Sequence, residues 1–457
     1  MHSNSQVKLL LFIQFFMQAA LWIVMIELPI YLSQDDASGS LLWSHTQKGF
    51  IFFTWVFIQN ITNIIFGAYA DKFGVKKSLY LSQSLLVIGY LSISFASEYY
   101  LFLISVSILG VGFGIFKPSL EGCLSFYSKN NNSHKIWSSF LLFINIAVIS
   151  STILIVYLEK ISYQAAFIGS AIIILFNFPL IYFLKERMQF GDVIIQPSII
   201  TSFKTAFADK RMIYLVLIMS GFTIMYINFY QMLPNYIYDW VDTSDLVAFL
   251  SLPQFMTTTT ESGVMLSYQM IYFINPFLVI IFIKLISNYT HKYHNITALT
   301  IGLILVCVGC FLVGLTQLSI ILLLAIIIYT SGEMIVRPKF QEIISEMSPL
   351  NKESQYISFL HISYAVGYMS GSLSGGMIYD KFGEKAHLAQ KALQAEFGVN
   401  VESKTAMLEL SQKLGMTFSE TTTYLFNNYN PFYSWLPFIF ILSISIISLV
   451  FYNKKYA

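Results

Sequence analysis

Long apolar stretches separated by short polar gaps run through the whole chain. Each stretch is close to the ~20 residues that a helix needs to cross ~30 Å of hydrocarbon. A backbone in lipid must satisfy its own hydrogen bonds, and barrel strands would give short alternating segments, so these stretches predict helices. About twelve spans are predicted, at residues 8–33, 46–70, 78–97, 99–127, 136–158, 162–184, 213–239, 264–288, 297–317, 319–345, 354–379 and 431–452.

The polar gaps between the spans alternate in charge. One set carries acidic residues with Lys160 nearly alone as a cation, whereas the other set is rich in lysine and arginine. Positive residues stay on the cytoplasmic side of membrane proteins. The pattern predicts that both termini are cytoplasmic. The basic gaps hold, among others, Lys72, Lys76, Lys77, Lys129, Lys135, Lys292 and Lys352.

A long polar stretch at residues 185–212 contains the helix breaker Pro197. It predicts a cytoplasmic linker between an N-terminal six-helix bundle at 1–184 and a C-terminal six-helix bundle at 213–457. The fold class predicted is therefore an all-α membrane protein with two six-helix bundles.

A second polar interruption, at about 381–430, falls between the last two spans and is expected on the outer face. Glu384–Phe397 and Ser403–Leu414 have helix-forming composition and helical apolar spacing. They predict a small helical insertion outside the membrane, with a flexible loop as the alternative.

Composition supports the same class. Hydrophobic residues make up 56% of the 457 residues and charged residues only 11%, whereas soluble proteins have about a quarter charged residues. We expect a multi-pass monomer in the bilayer of the inner (cytoplasmic) membrane.

The sequence has no cluster of a nucleophile with a base, no residues at metal-ligand spacing and no phosphate-binding loop. We therefore expect no enzyme, no cofactor, no metal and no nucleic-acid partner.

An internal repeat links the two predicted bundles. The fourth span contains Gly112–Pro118, and the tenth contains Gly332–Pro338; each has a glycine followed five residues later by a cation and then proline. Duplicated halves with interrupted helices at matching places indicate a transporter with its site between the halves.

Charged residues inside spans cost ~2.5–3.5 kcal/mol each on insertion scales and need a reason. Lys117 and Glu121 lie on one face of the fourth span, and Glu333 and Arg337 lie one turn apart in the tenth. We interpret Lys117 and Glu333 as lining a central cavity. The alternative is an internal salt bridge that only orients the helices.

Two other titratable residues have open roles. Glu27, in the first span, is either a proton-accepting carboxylate or an outer-gate partner for a cation. His361, in the eleventh span, either titrates near neutral pH or is a packing residue.

The segment from Gly67 to Lys77 joins the second and third spans. Gly67 permits close helix contact, Asp71 can accept hydrogen bonds at a neighbouring helix N-terminus, and Gly74 allows a tight turn. Lys76 and Lys77 hold the loop on the cytoplasmic side. We interpret the segment as a gating loop, and the alternative is an ordinary charged turn.

These features resemble the major facilitator superfamily, whose GxxxDxxGxxx(K/R) loop is similar to Gly67–Lys77. Several stretches further resemble the proton-coupled oligopeptide transporter family, in the order expected across both halves. They are Gly112–Pro118 (GxGxxKP), Phe140–Ile146 (FxxxIN), Ile274–Pro276 (NP) and Ser331–Glu333 (GE).

The resemblance implies proton-driven uptake, with Lys117 and Glu333 at the substrate and coupling site. Two family features are missing. The first-span ExxER motif is replaced by Gln14, Met17 and Gln18, and the seventh-span glutamate by Tyr230, beside Gln231. A divergent branch with another substrate is therefore the interpretation.

Uncharged polar residues in the spans, such as Asn145, are assigned mainly to helix–helix contacts, with a fraction reaching the cavity. Tyr230 and Gln231 are candidates for that fraction.

The function predicted is secondary active transport of a small solute, peptide-like or carboxylate-bearing, by alternating access with proton coupling. One alternative is an exporter of drugs, metabolites or siderophores on the same fold. An alternative of another class is a receptor or scaffold that has lost transport.

Overall fold

A computed structural model describes residues 2–33, 41, 43, 45–129, 132–158, 161–185, 208–253, 256–260, 263–266, 268–350 and 352–456. Most of the predicted linker, including Pro197, and the outer cation Lys160 lie outside the described residues. The described chain is almost entirely helical, which confirms the all-α fold class.

Among the described residues, eleven helices are long and apolar enough to cross a membrane. Many apolar side chains on their outer faces are exposed, as contact with lipid requires. The long helices are α1 (His2–Ser33), α2 (His45–Phe73), α3 (Val75–Phe95), α4 (Tyr99–Lys129), α5 (Ser133–Leu158), α6 (Tyr163–Leu175) with its extension α7 (Asn177–Phe183), α8 (Lys210–Trp240), then, after the short α9 (Ser244–Leu250), α10 (Tyr268–Thr290), α11 (Asn295–Leu315), α12 (Ser319–Met347) and, last in the chain, α18 (Leu436–Tyr456).

The predicted span at 354–379 is helical but divided. It consists of α13 (Glu353–Val366), a π-helical turn at Gly367–Gly371 and α14 (Ser372–Phe382). A Cβ on Gly367 would lie 2.7 Å from the backbone of Thr223. The glycine therefore lets this turn press directly on α8, and the widened turn interrupts the regular helix.

The region after α14 contains three short helices, α15 (Lys385–Phe397), α16 (Ser403–Leu414) and α17 (Phe418–Tyr429). The first two match the predicted helices. The third was not predicted, and it begins with a capping box between Thr417 and Glu420.

A small hairpin was also missed by the sequence analysis. Strand β1 (Thr257–Thr260) pairs antiparallel with β2 (Gly263–Leu266). The predicted eighth span began at 264, whereas the helix begins at Tyr268, because Gly263–Leu266 is in the strand.

Contacts divide the chain into two compact units. Unit 1 comprises Met1–Val216, Val279–Ala298 and Met334–Ala365, and unit 2 comprises Leu217–Leu278, Leu299–Glu333 and Val366–Ala457. Unit 1 thus contains segments from both halves of the sequence. The division at residues 185–212 stays a prediction.

The structure extends the internal repeat well beyond the two proline motifs. Helices α3, α4 and α5 begin at Val75, Tyr99 and Ser133, and α11, α12 and α13 begin at the corresponding residues 220 positions later. Close approaches repeat as well: a Cβ on Gly112 would meet Leu86, and one on Gly332 would meet Val306 at the equivalent place. The repeat is therefore one of packing as well as of sequence.

Candidate functional site

A cluster of four polar side chains lies within unit 2. Glu333 of α12 is fully buried, and its Oε2 lies 2.8 Å from Asn275 Nδ2 of α10 and 3.0 Å from the Tyr230 hydroxyl of α8. The same hydroxyl lies 2.8 Å from Asn275 Oδ1, and Asn275 Nδ2 lies 3.0 Å from Thr330 Oγ1. Three helices therefore meet at one carboxyl group.

The Tyr230 hydroxyl lies within hydrogen-bonding distance of two oxygens, Asn275 Oδ1 and Glu333 Oε2, and it carries a single hydrogen. The Asn275 amide nitrogen contacts two other oxygens, those of Thr330 and Glu333. The cluster therefore surrounds Glu333 Oε2 with polar groups, an arrangement that can hold a proton or a cationic group at the carboxyl.

Local sequence explains why these side chains converge. Thr330 and Glu333 are three residues apart on α12 and so share one face of the helix. Gly332 lets α12 approach α11 closely, because a Cβ there would lie 2.6 Å from the Gly302 carbonyl oxygen. Asn275 precedes Pro276, which lies inside α10 and removes a backbone donor.

A second ionisable pair lies in unit 1. Glu121 Oε2 of α4 is 3.2 Å from His361 Nε2 of α13, and the two residues are only 5% and 7% exposed. Lys117 lies one helical turn before Glu121 and is partly exposed. Among the described residues, no acceptor lies within hydrogen-bonding distance of the Lys117 ammonium group, which leaves it available to an anionic group.

The ends of α4, α5, α10, α12 and α13 that carry the lysine-rich gaps meet in unit 1, and we call this the basic end. Lys129 of α4 pairs with Glu353 of α13 at 3.1 Å. The Ser125 and Ser345 hydroxyls lie 2.6 Å apart, and the His134 and His291 rings stack with centroids 3.9 Å apart. Helices from both sequence halves are therefore joined here.

Two glycines allow this close approach. A Cβ on Gly122 of α4 would lie 2.5 Å from the Cα of Ser354, and one on Gly67 of α2 would lie 2.7 Å from the Cβ of Ser358. Both serines belong to α13. Side chains larger than hydrogen at either glycine would push α13 away.

The predicted gating loop is a one-residue turn. Gly74, with φ of 90°, separates α2 from α3, a conformation that side-chain-bearing residues rarely adopt. Lys76 donates to the Tyr182 carbonyl oxygen at 2.7 Å, and Lys77 is exposed. The side chain of Asp71 lies outside the described residues.

The other predicted site residues are distributed over several helices. Glu27 of α1 is 1% exposed, and Asn145 of α5 is buried and donates to the Leu141 carbonyl oxygen of its own helix at 2.8 Å. Gln231 is exposed, and Arg337 is partly exposed one turn after Glu333.

Sequence analysis missed the roles of three residues in these clusters. Asn275 was noted only as part of a motif, Thr330 was not singled out, and His361 was left between titration and packing. The available signal for Thr330 was its three-residue spacing from a charged residue inside an apolar span.

Known proteins resemble the chain over most of its length. The sequence model of the Major Facilitator Superfamily matches residues 10–372. The uncharacterized MFS-type transporter YttB of Bacillus subtilis is 24% identical over 331 residues, 71% of this chain and 77% of that protein. Multidrug resistance protein MdtH of Blochmanniella pennsylvanica is 22% identical over 366 residues, 80% of this chain and 83% of MdtH.

A solved structure shares the fold. A POT family transporter in complex with a thioalcohol-conjugated peptide superposes with a TM-score of 0.62 at 15% identity, over 97% of this chain and 94% of that one. At this identity the likeness concerns the fold alone.

Proposed function

The chain belongs to the Major Facilitator Superfamily, and we propose that it is a proton-coupled transporter of a small organic solute in the inner membrane. The superfamily model and the similar transporters support transport, and the bacterial relatives support that membrane. The observation that carries proton coupling is the cluster of Glu333, Tyr230, Asn275 and Thr330, which places a fully buried carboxyl group among polar side chains from three helices.

Glu333 would alternate between two occupants. A carboxyl group removed from water holds either a proton or a cationic partner, because an unpaired buried charge is expensive. A cationic group of the substrate that approached Glu333 would displace the proton. The Tyr230 hydroxyl and the Asn275 amide would then donate to the ionised carboxylate and hold its orientation. Proton and substrate would thereby compete for one group.

Lys117 would bind an anionic group. Its ammonium has no acceptor within hydrogen-bonding distance among the described side chains, and an anion that reached it would gain a charge-assisted hydrogen bond. A carboxylate-bearing solute would use Lys117 in this way.

Transport would follow alternating access, in which the two sequence-related halves rock to expose the site on one side and then the other. A proton or a solute changes this equilibrium only if it binds the two states with different affinity. Glu333 would meet that requirement, because movement of the three helices that meet at its carboxyl group would change the hydrogen bonds that hold a proton or a cation there.

The test begins with thermal stabilisation of the purified protein by dipeptides, amino acids, organic acids and lipophilic cations such as ethidium. Compounds that raise the Tm are then assayed for flux in proteoliposomes with and without an imposed pH gradient. We expect the gradient to increase flux several-fold. Glu333→Gln should abolish the gradient's effect, and Lys117→Ala should weaken binding of anionic compounds only.

Glu346→Gln is the matched control, because Glu346 lies on the same helix outside the cluster and contacts Asn295 at 3.0 Å. It should leave the gradient's effect intact. Flux that ignores the pH gradient in the wild type, or a Glu333→Gln protein that still responds to it, would refute proton coupling at this residue. Absence of flux for every stabilising compound would favour a receptor.

Export of drugs is a second candidate function, favoured by the likeness to the MdtH protein, which is named for multidrug resistance. Both directions use the same cluster, so growth phenotypes must separate them. Increased drug sensitivity after deletion of the gene would favour export, whereas loss of growth on a supplied nutrient would favour import.

A further inference from the structure

The Glu121–His361 pair is separate from the Glu333 cluster and needs its own explanation. The two residues come from α4 and α13, and the Nε2···Oε2 distance of 3.2 Å places a hydrogen between them. Neither residue is more than 7% exposed. A hydrogen-bonded imidazole and carboxylate are the two side-chain types that exchange protons most readily near neutral pH.

The structure describes ionisable groups on three of the helices around the pair. On α4, Lys117 lies one turn before Glu121, and Lys129 pairs with Glu353 of α13. On α13, the Tyr364 ring centroid is 6.0 Å from that of His361. On the part of α12 that belongs to unit 1, the ionisable groups are Arg337, Glu346 and the paired Lys339 and Glu342, whose charged atoms are 2.9 Å apart. On α2, the corresponding group is Asp71, whose side chain is outside the described residues.

The pair stands where two helices must part for the basic end to open. Gly122, next to Glu121, touches Ser354 of α13, and Gly67 of α2 touches Ser358 of the same helix. These contacts leave no room for water between the backbones. Separation of α4 from α13 would therefore break the pair and hydrate both groups.

We propose that Glu121 and His361 together hold one proton while α4 and α13 are in contact and release it when the helices separate. This inference rests on the proposed function and adds a second proton-binding element to the Glu333 cluster. Buried together, an imidazolium and a carboxylate neutralise each other, whereas either charge alone would be costly. Once the pair is broken and hydrated, the imidazole no longer has the carboxylate beside it, and its Nε2 proton passes to water.

The consequence is a closed basic end that binds one proton more than the open one. The closed state is then favoured at low pH and loses that advantage as pH rises, by up to about tenfold in the closed-to-open ratio per pH unit. Protons would thus bias the conformational cycle through the contact between α4 and α13, in addition to any proton at Glu333.

Hydrogen–deuterium exchange of the full-length protein in nanodiscs, between pH 5.5 and 8.5, tests this without any substrate. After correction for the intrinsic pH dependence of exchange, amides of α4 and α13 near the crossing should exchange at least several-fold faster at the higher pH. Glu121→Gln and His361→Gln should each remove this slope. If one variant does not fold, the other still decides the result.

Glu353→Gln is the matched control, because it disrupts the other ion pair between the same two helices; it should raise exchange at every pH and keep the slope. A flat wild-type profile, or a slope that survives both pair variants, overturns the proposal. The proposed function fails by a different result: flux that does not depend on the pH gradient, or a Glu333→Gln protein whose flux still responds to the gradient. The pH dependence of exchange is measured without flux, so the two proposals are tested independently.

Discussion

The hydroxyl oxygens of Ser125 and Ser345 lie 2.6 Å apart although 220 positions separate the two residues. They are equivalent positions of the internal repeat, so an approximate twofold axis passes between them. Their neighbours repeat too: Ser128 donates to the Ser125 carbonyl oxygen at 2.8 Å, and Ser348 donates to the Ser345 carbonyl oxygen at 2.7 Å. The contacts at the basic end are therefore arranged around the axis of the repeat.

The chemistry of the repeat is less symmetric than its packing. Lys117 and Arg337 are equivalent, but Glu121 follows its cation by one turn, whereas Glu333 precedes its cation by one turn. The position equivalent to Glu333 is Phe113, and that equivalent to Glu121 is Gln341. The two halves thus place their carboxylates at different positions of the repeat, one beside His361 and one beside Tyr230.

Enlarging Gly122 should open the basic end. Gly122→Leu places a side chain where a Cβ alone would lie 2.5 Å from the Cα of Ser354, so α4 and α13 cannot remain in contact. We expect exchange of the flanking amides to increase more than tenfold. Gly376→Ala is the control, since among the described residues no atom outside its own stretch of helix lies within 4 Å of its Cβ position. Equal exchange in the two variants would contradict a tight crossing.

The Lys129–Glu353 pair should respond unequally to removal of its partners. Glu353 is fully buried and Lys129 is 17% exposed. Lys129→Met removes the cation from a buried carboxylate and should cost about 3–5 kcal/mol, whereas Glu353→Gln leaves a lysine that can reach water. Thermal unfolding in nanodiscs measures both. The double variant should be more stable than Lys129→Met alone, and strict additivity would argue against a coupled pair.

Asp239, beyond the apolar part of α8, should make that end of the helix sensitive to pH. Burial raises the pKa of its carboxyl group, while the Tyr379 hydroxyl at 2.7 Å and the backbone and charge of Lys385 oppose the shift. Since the folded pKa exceeds the unfolded one, this group's stabilisation is complete below about pH 4 and is lost as pH rises through the folded pKa.

The measurement for Asp239 is hydrogen exchange at the junction of α8 and α15, where Trp240 Nε1 also donates to the Gly383 carbonyl oxygen at 2.7 Å. Exchange should rise with pH in the wild type and become flat in Asp239→Asn. A variant that keeps the wild-type profile would show that another group titrates.

The capping box of α17 should stabilise the short helices after α14. Thr417 accepts a hydrogen bond from the Glu420 backbone N–H, and the Thr417 backbone N–H donates to Glu420 Oε2 at 2.8 Å. Thr417→Ala removes the cap and should cost about 1 kcal/mol locally. Faster exchange confined to α17 is expected, with Thr405→Ala at the start of α16 as the comparison. Unchanged exchange in α17 would show that packing alone holds it.

The sequence by itself determined the class of the molecule and most of its spans. Runs of about 20 apolar residues have only one stable backbone arrangement in lipid, so α1 to α6 and α8 follow from composition. Short elements did not follow: β1 and β2 are four residues each, and the π-turn at Gly367 depends on its contact with α8.

The sequence also marked Lys117 and Glu333, because a charge inside an apolar span is costly wherever the helix lies. Only the tertiary structure decided what they face. Glu121 meets His361 across 240 positions, and Glu333 meets Tyr230 across 103. Such pairings depend on helix rotation and crossing, which small residues such as Gly122 and Gly332 set through contacts that no local pattern encodes.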